Sequence, residues 1–92
     1  MSDEDLHEEL RRGVERDYDL AFDAHARATK ELRASEQDLE VALTLANRDP
    51  VRQAFVMRWY QARAVEHLAG EVLERCGQTL EALPPSVLGA DR

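Results

Sequence analysis

Cysteine, aromatic residues and long apolar runs are scarce in this sequence of 92 residues. The single cysteine, Cys76, excludes an internal disulfide framework, which makes the cytosol the default compartment. No stretch approaches the roughly 18 consecutive apolar residues of a membrane span. The first residues also lack the basic start and apolar run of a cleaved signal. We therefore expect a cytoplasmic protein without a membrane partner.

Aromatic residues make up 5% of the chain, and alanine, leucine, glutamate and arginine are its commonest residues. This composition favours helix over sheet. A chain of this length buries a smaller fraction of its surface than a longer one, so it often needs additional stabilisation. The sequence therefore predicts an all-α protein, completed to a helical bundle by dimerisation or by a partner.

Acidic residues outnumber basic ones, and the formal net charge is −7. Nine acidic and three basic residues lie between Asp3 and Asp23, so this segment alone carries a charge of −6. Nucleic acid and anionic membranes would repel it, and we expect neither as a direct partner. The segment is either a solvated helix face or a binding site for a basic surface.

One strong turn signal, Asn47-Arg48-Asp49-Pro50, divides two long stretches that carry apolar residues at helical spacing. Asp49 is a good N-cap, and Pro50 suits the first helical position because its missing N–H would be unpaired there in any case. The sequence thus predicts an antiparallel hairpin of two long helices.

The predicted hairpin forms a single domain over residues 1–83. We expect helix one at about residues 3–46, a turn at 47–49 and helix two at about 50–76. Residues 84–92 are expected to be a flexible tail, because Pro84 and Pro85 stop any helix.

Two glycines bear on these helices. Gly13 costs about 1 kcal/mol relative to alanine inside a helix and is a candidate break, whereas Gly77 is a candidate C-cap. At 1.5 Å per residue, helix one would exceed helix two by roughly 25 Å. The acidic N-terminal part of helix one would then lack an intramolecular partner.

Two groups of apolar residues are predicted to contact a partner, one on the unmatched acidic arm and one beside the turn. They are Leu6, Leu10, Val14, Tyr18, Val56, Met57, Trp59 and Tyr60. The inward stripe of helix one is predicted to contain Leu6, Leu10, Val14, Tyr18, Ala21, Phe22, His25, Ala28, Leu32, Ser35, Leu39, Ala42, Leu43 and Ala46. The inward stripe of helix two is predicted to contain Val51, Phe55, Ala62, Val65, Leu68, Ala69, Val72, Leu73, Cys76 and Leu80. Residues 39–46 are apolar nearly all round and are expected to be the most buried part of helix one.

Motifs for chemistry are sparse. Glu4 and His7 form one Glu-x-x-His motif, whereas a di-iron helical bundle needs two such motifs and further glutamates. His25 is either a pH-sensitive site or a hydrogen-bonded interface histidine, and Glu66 is expected to pair with Arg63 or with an arginine of helix one. We expect no enzyme, cofactor or metal site.

From Leu32 to Cys76 the chain resembles the acidic co-chaperones of type III secretion needle subunits, the YscE-like helical hairpins. The motif that carries the resemblance is Gln61-Ala62-Arg63-Ala64-Val65-Glu66, which follows a short turn containing proline. The resemblance implies that helix two and the turn help to hold an aggregation-prone needle subunit together with a second chaperone. Val51-Arg52-Gln53-Ala54 and Arg58-Trp59 are also similar to helical partners of minimal nucleotidyltransferases.

These observations favour a non-enzymatic protein–protein interaction module, such as a small acidic helical adaptor, chaperone or assembly subunit. It would bind through its apolar helical stripe, either to itself as a homodimer or to another helical protein. The alternatives are a metal-binding or catalytic helical bundle and an acidic inhibitor that mimics nucleic acid.

Overall fold

The chain forms a hairpin of two long helices in a computed structural model, which describes residues 3–83. Helix α1 spans Asp3–Ala42 and helix α2 spans Pro50–Ala82. The two helices run antiparallel and pack against each other extensively. The predicted all-α hairpin is confirmed. The predicted tail lies outside the described residues.

The start of α2 is the one the sequence predicts. Asp49 is the N-cap, and its Oδ1 accepts a hydrogen bond from the backbone N–H of Val51 at 2.9 Å. Pro50 occupies the first turn, where it removes no intrahelical hydrogen bond. The cap therefore fixes where the chain re-enters a helix after the turn.

The connection between the helices is longer than predicted, because α1 ends at Ala42 and not at Ala46. The N–H groups of Thr44 and Leu45 donate to the carbonyls three residues before them, at 3.1 and 3.0 Å, which tightens the chain out of the α-helix. Arg52 then holds this end of α1: its Nη1 donates to the carbonyl oxygens of Leu43 at 3.2 Å and Leu45 at 2.9 Å. These carbonyls would otherwise lack helical partners.

Neither glycine interrupts a helix. Helix α1 continues through Gly13, where a break was predicted, and α2 continues past Gly77 to Ala82. The helix ends instead before Pro84: Leu83 is extended, with φ −69° and ψ 141°, as the residue before a proline prefers. At 1.5 Å per residue the helices measure about 60 and 50 Å, so the unmatched arm of α1 is about 10 Å long and not 25 Å.

Small side chains fill the seam between the helices. The buried residues of α1 are Ala21, Ala28, Ser35 and Ala42, which recur every seven residues, and the buried residue of α2 is Ala62. A repeat of seven is the spacing that keeps one row of a helix against a neighbouring helix. Ser35 is the largest fully buried side chain of the described residues. Half-buried larger side chains flank this row, among them Leu32, Leu39, Phe55, Trp59, Leu73 and Leu80.

About half of the large apolar side chains are exposed and do not lie in the seam. Val41 is 70% exposed and Leu43 is 50% exposed, so the prediction that residues 39–46 are the most buried part of helix one is wrong. Val51, Val65, Leu68 and Val72, which were predicted to face inward, are also more than half exposed. The other six residues of the predicted stripe of α2, which are Phe55, Ala62, Ala69, Leu73, Cys76 and Leu80, are buried or half-buried as predicted. The seam is completed by Arg52, Trp59 and Glu66, which are also half-buried.

Candidate interaction surface

Six exposed apolar side chains lie on one side of the hairpin, and we call this surface the outer apolar face. Its members are Leu20 and Val41 of α1 and Val51, Val65, Leu68 and Val72 of α2, each between 51% and 70% exposed. Val51, Val65 and Val72 stand in a single row with Arg58, because these four residues are separated by multiples of seven. Leu68 lies three residues after Val65 and four before Val72, beside the same row.

Arg58 shows which residues of α1 share this side. Its Nη2 lies 2.8 Å from Glu31 Oε1, and its Nη1 lies 3.2 Å from Asp38 Oδ2. Val41 lies three residues after Asp38, and Leu20 lies 11 residues, close to three helical turns, before Glu31. Both therefore project on the side that Arg58 bridges, and the outer apolar face extends across both helices.

The centre of this face is an ion-pair cluster beside a shallow groove. The hydrogen bond to Glu31, and then the charges of Glu31 and Asp38, raise the pKa of Arg58 above its ordinary value, so the guanidinium stays charged. The groove has a volume of about 210 Å³ and is lined by Ala28, Glu31, Arg58, Gln61, Ala62 and Val65. It forms because both helices carry alanine at this level, and an apolar side chain of a partner could enter it.

The predicted contact residues of the acidic arm divide between the surface and the seam. Leu6 and Leu10 are exposed, whereas Val14 and Tyr18 are half-buried. Tyr18 packs against Gly77 of α2, and its ring centroid is 6.5 Å from that of Phe22. Since α2 reaches this level, Tyr18 already has an intramolecular neighbour.

The second predicted group, beside the turn, does not form one face. Met57 and Tyr60 are exposed and Val56 is half-buried, while Trp59 lies in the seam and not at its margin. The Trp59 ring centroid is 5.0 Å from that of Tyr60 and 5.4 Å from the Arg63 guanidinium carbon. Trp59 Nε1 is buried, and no residue of 3–83 accepts a hydrogen bond from it. Its packing makes Trp59 part of the hairpin interface.

His25 and Glu66 form a polar pair across the seam. His25 Nε2 lies 3.0 Å from Glu66 Oε1, and both side chains are about one-third exposed. The histidine is therefore a hydrogen-bonded interface residue. The partner predicted for Glu66 was wrong, because Arg63 lies over Trp59 instead. One position of the seam is thus occupied by a hydrogen-bonded pair, which joins His25 of the predicted inward stripe to Glu66.

The described residues offer little for metal or redox chemistry. Within residues 3–83, no three His, Cys, Asp or Glu side chains come together as a group that could hold a metal ion. Glu4 and His7 are exposed in the first turns of α1, and Cys76 is a half-buried free thiol on the seam side of α2. Over the same residues, neither helix combines the length and apolar character that crossing a membrane requires.

Sequence reasoning missed the outer apolar face and the contacts of Arg52 and Arg58. The seam of α1 was predicted: Ala21, Ala28, Ser35 and Ala42 lie on the predicted inward stripe, and their spacing of seven places them in one row. Comparisons of the chain with protein-family models, with curated proteins and with solved structures found no match.

Proposed function

We propose that this chain is a non-enzymatic protein–protein interaction module that binds a helical partner through its outer apolar face. One observation supports this most directly: six valine and leucine side chains on one side of the hairpin remain more than half exposed although the seam already has its own half-buried leucines. Several exposed apolar side chains on one side of a folded chain are typical of an interaction site.

The exposure of the individual side chains supports the same proposal, because each of the six is between 51% and 70% exposed. Burying a valine or leucine side chain completely contributes about 1.5–3 kcal/mol. Burying the remaining half of a half-exposed side chain would therefore contribute about 1 kcal/mol. Burial of all six side chains of the outer apolar face would therefore contribute about 6 kcal/mol to association.

The shape of the face favours a helical partner. The hairpin measures 66 × 22 × 15 Å, and its exposed valines and leucines follow the helix axes. Rows of anchors at spacings of three, four and seven residues are how helices recognise one another. In the needle co-chaperones that the sequence resembles, the corresponding client would be a needle subunit.

Two double variants with matched exposure test the proposal. Val65→Gln/Leu68→Gln removes side chains that are 56% and 59% exposed. Phe22→Gln/Tyr60→Gln removes side chains that are 55% and 57% exposed on the opposite side of the hairpin, because Phe22 lies nine residues before Glu31 and Tyr60 lies two residues after Arg58. We expect both variants to keep the wild-type helical circular dichroism. Cross-linking in the native cells, quantified by mass spectrometry, should show that only the first variant loses the complexes of the wild type.

The two variants also separate the outer apolar face from the opposite side of the hairpin, which carries Tyr60 of the site predicted beside the turn. Loss of complexes in Phe22→Gln/Tyr60→Gln alone would move the site to that opposite side. If both variants keep every complex of the wild type, the outer apolar face is an ordinary solvated surface and the proposal is wrong.

A further inference from the structure

We infer that the occupant of the outer apolar face is a second copy of this chain that packs in the opposite direction. The turn of each hairpin then lies over the open end of the other, which is the end opposite its turn, and we call this arrangement exchanged ends. The inference rests on the proposed function, because it names the partner of the same face. Two helices of each copy would then form a four-helix bundle whose new seam contains the exposed valines and leucines.

The face has the symmetry that such a pair requires. Val51 and Val72 mark its two ends on α2, and their midpoint falls between Gln61 and Ala62. Leu20 and Val41 mark its two ends on α1, and their midpoint falls beside Glu31. Both midpoints line the central groove and therefore lie at the same height along the hairpin.

A two-fold axis through this level places the apolar ends of one copy on those of the other. Val41 and Val51, near the turn of one copy, would meet Leu20 and Val72 of the second. Each surface is then complementary to itself, as an interface with two-fold symmetry must be. The groove at Ala28 and Ala62 lies on the axis, where it can admit side chains from the facing copy.

The area is close to what a stable dimer needs. The face is about 32 Å long from Val51 to Val72 at 1.5 Å per residue. With the 22 Å width of the hairpin, this gives about 700 Å². A specific protein–protein interface of standard size buries about 800 Å² on each partner.

Charge selects the orientation. The open half of the hairpin, residues 3–23 and 64–83, contains 13 acidic and four basic residues, so its net charge is −9. The turn half, residues 24–63, contains seven basic and five acidic residues, so its net charge is +2. Two copies in the same direction would place −9 against −9, whereas exchanged ends place each −9 half against a +2 half. Repulsion between like charges therefore disfavours the first arrangement.

Sedimentation equilibrium of the wild-type protein is the first test. We expect a dimer of about twice the 10.5 kDa chain mass. Val65→Gln/Leu68→Gln should raise the dissociation constant of this dimer at least about 100-fold. The interface loses four apolar side chains, because each of the two copies carries both substitutions. Phe22→Gln/Tyr60→Gln, on the opposite side of the hairpin, should leave it unchanged. A dimer that survives the first variant and is lost in the second would overturn the assignment of the face.

A spin-label distance tests the orientation. Asn47→Cys places a label in the exposed turn, and Cys76→Ala removes the native thiol without adding volume to the seam. With exchanged ends the two labels would be about 40 Å apart, because each turn lies about 20 Å from the axis. With both copies in the same direction they would lie within about 20 Å of each other. Circular dichroism confirms that the labelled variant is folded.

The outcomes distinguish this inference from the proposed function. A dimer with labels about 40 Å apart supports the exchanged ends, and one with labels within about 20 Å overturns them. If the wild-type chain remains monomeric at about 100 μM, the second copy is not the occupant, because a specific pair should associate at that concentration. If Val65→Gln/Leu68→Gln still abolishes the complexes cross-linked in cells, the proposed function stands with a different partner.

Discussion

Tyr18 packs against Gly77 across the hairpin: a Cβ built on Gly77 would lie 3.5 Å from Tyr18 Cε2, an ordinary van der Waals distance. Gly77 also has a helical backbone without positive φ. We therefore expect Gly77→Ala to stabilise the hairpin by about 1 kcal/mol, since alanine loses less backbone entropy in a helix. Thermal unfolding followed by circular dichroism should show a rise in Tm of about 4–8 °C.

Gly13→Ala is the matched control for this prediction. It gives the same helical gain, but no atom lies within 4 Å of its added Cβ, so it creates no contact with the other helix. At equal protein concentration, Gly77→Ala should stabilise the hairpin at least as much as Gly13→Ala does. A lower Tm for Gly77→Ala alone would mean that Tyr18 requires the space that glycine leaves.

Ser35 tests whether small side chains set the distance between the helices. It is 1% exposed, and its Oγ donates to the Leu32 carbonyl at 2.8 Å within its own helix. Ser35→Ala removes only this local bond and should change the free energy of unfolding by less than about 1 kcal/mol. Ser35→Leu overfills the seam and should cost about 1–3 kcal/mol.

Urea unfolding measures both Ser35 variants. Equal midpoints for Ser35→Leu and the wild type would show that the seam has room for a large side chain. The row of small residues would then have no structural role.

Arg52 is expected to stabilise the end of α1 through its two hydrogen bonds to the carbonyls of Leu43 and Leu45. Arg52→Gln shortens the side chain and removes the charge, so these acceptors lose a charged donor. We expect a loss of about 1–3 kcal/mol in the free energy of unfolding, measured with urea. Arg48→Gln, in the exposed part of the turn, is the control and should change it by no more than about 0.5 kcal/mol. Equal losses in both variants would point to net charge and not to the hydrogen bonds.

The sequence predicted the hairpin itself because its signals are local. Asp49 and Pro50 mark a helix start through their own backbone chemistry, and the structure places the N-cap there. Gly13 and Gly77 misled because helix propensity costs about 1 kcal/mol per glycine, which packing along two long helices overcomes.

Apolar periodicity predicted the orientation of α2 only in part. It assigned Phe55, Ala62 and Leu73 to the seam correctly, but the predicted stripe was too wide because it also included Val51, Val65 and Val72. The seam accepts Glu66 as well, because His25 lies opposite to it at hydrogen-bond distance. A chain with one apolar side for its own hairpin and another for a partner presents two stripes, and periodicity alone does not say which one is internal.

Leu39 and Val65 separate these two stripes experimentally. Leu39 is half-buried on the seam side of α1, so Leu39→Asp brings an unpaired charge into the hairpin and should cost several kcal/mol, enough to unfold a small domain. Val65 is 56% exposed, so an aspartate there remains hydrated in the monomer. Val65→Asp should therefore keep its helical circular dichroism at dilutions where the wild type is monomeric, while sedimentation shows that it no longer associates. If Val65→Asp instead unfolds at those dilutions as Leu39→Asp does, the outer apolar face belongs to the monomer's own core.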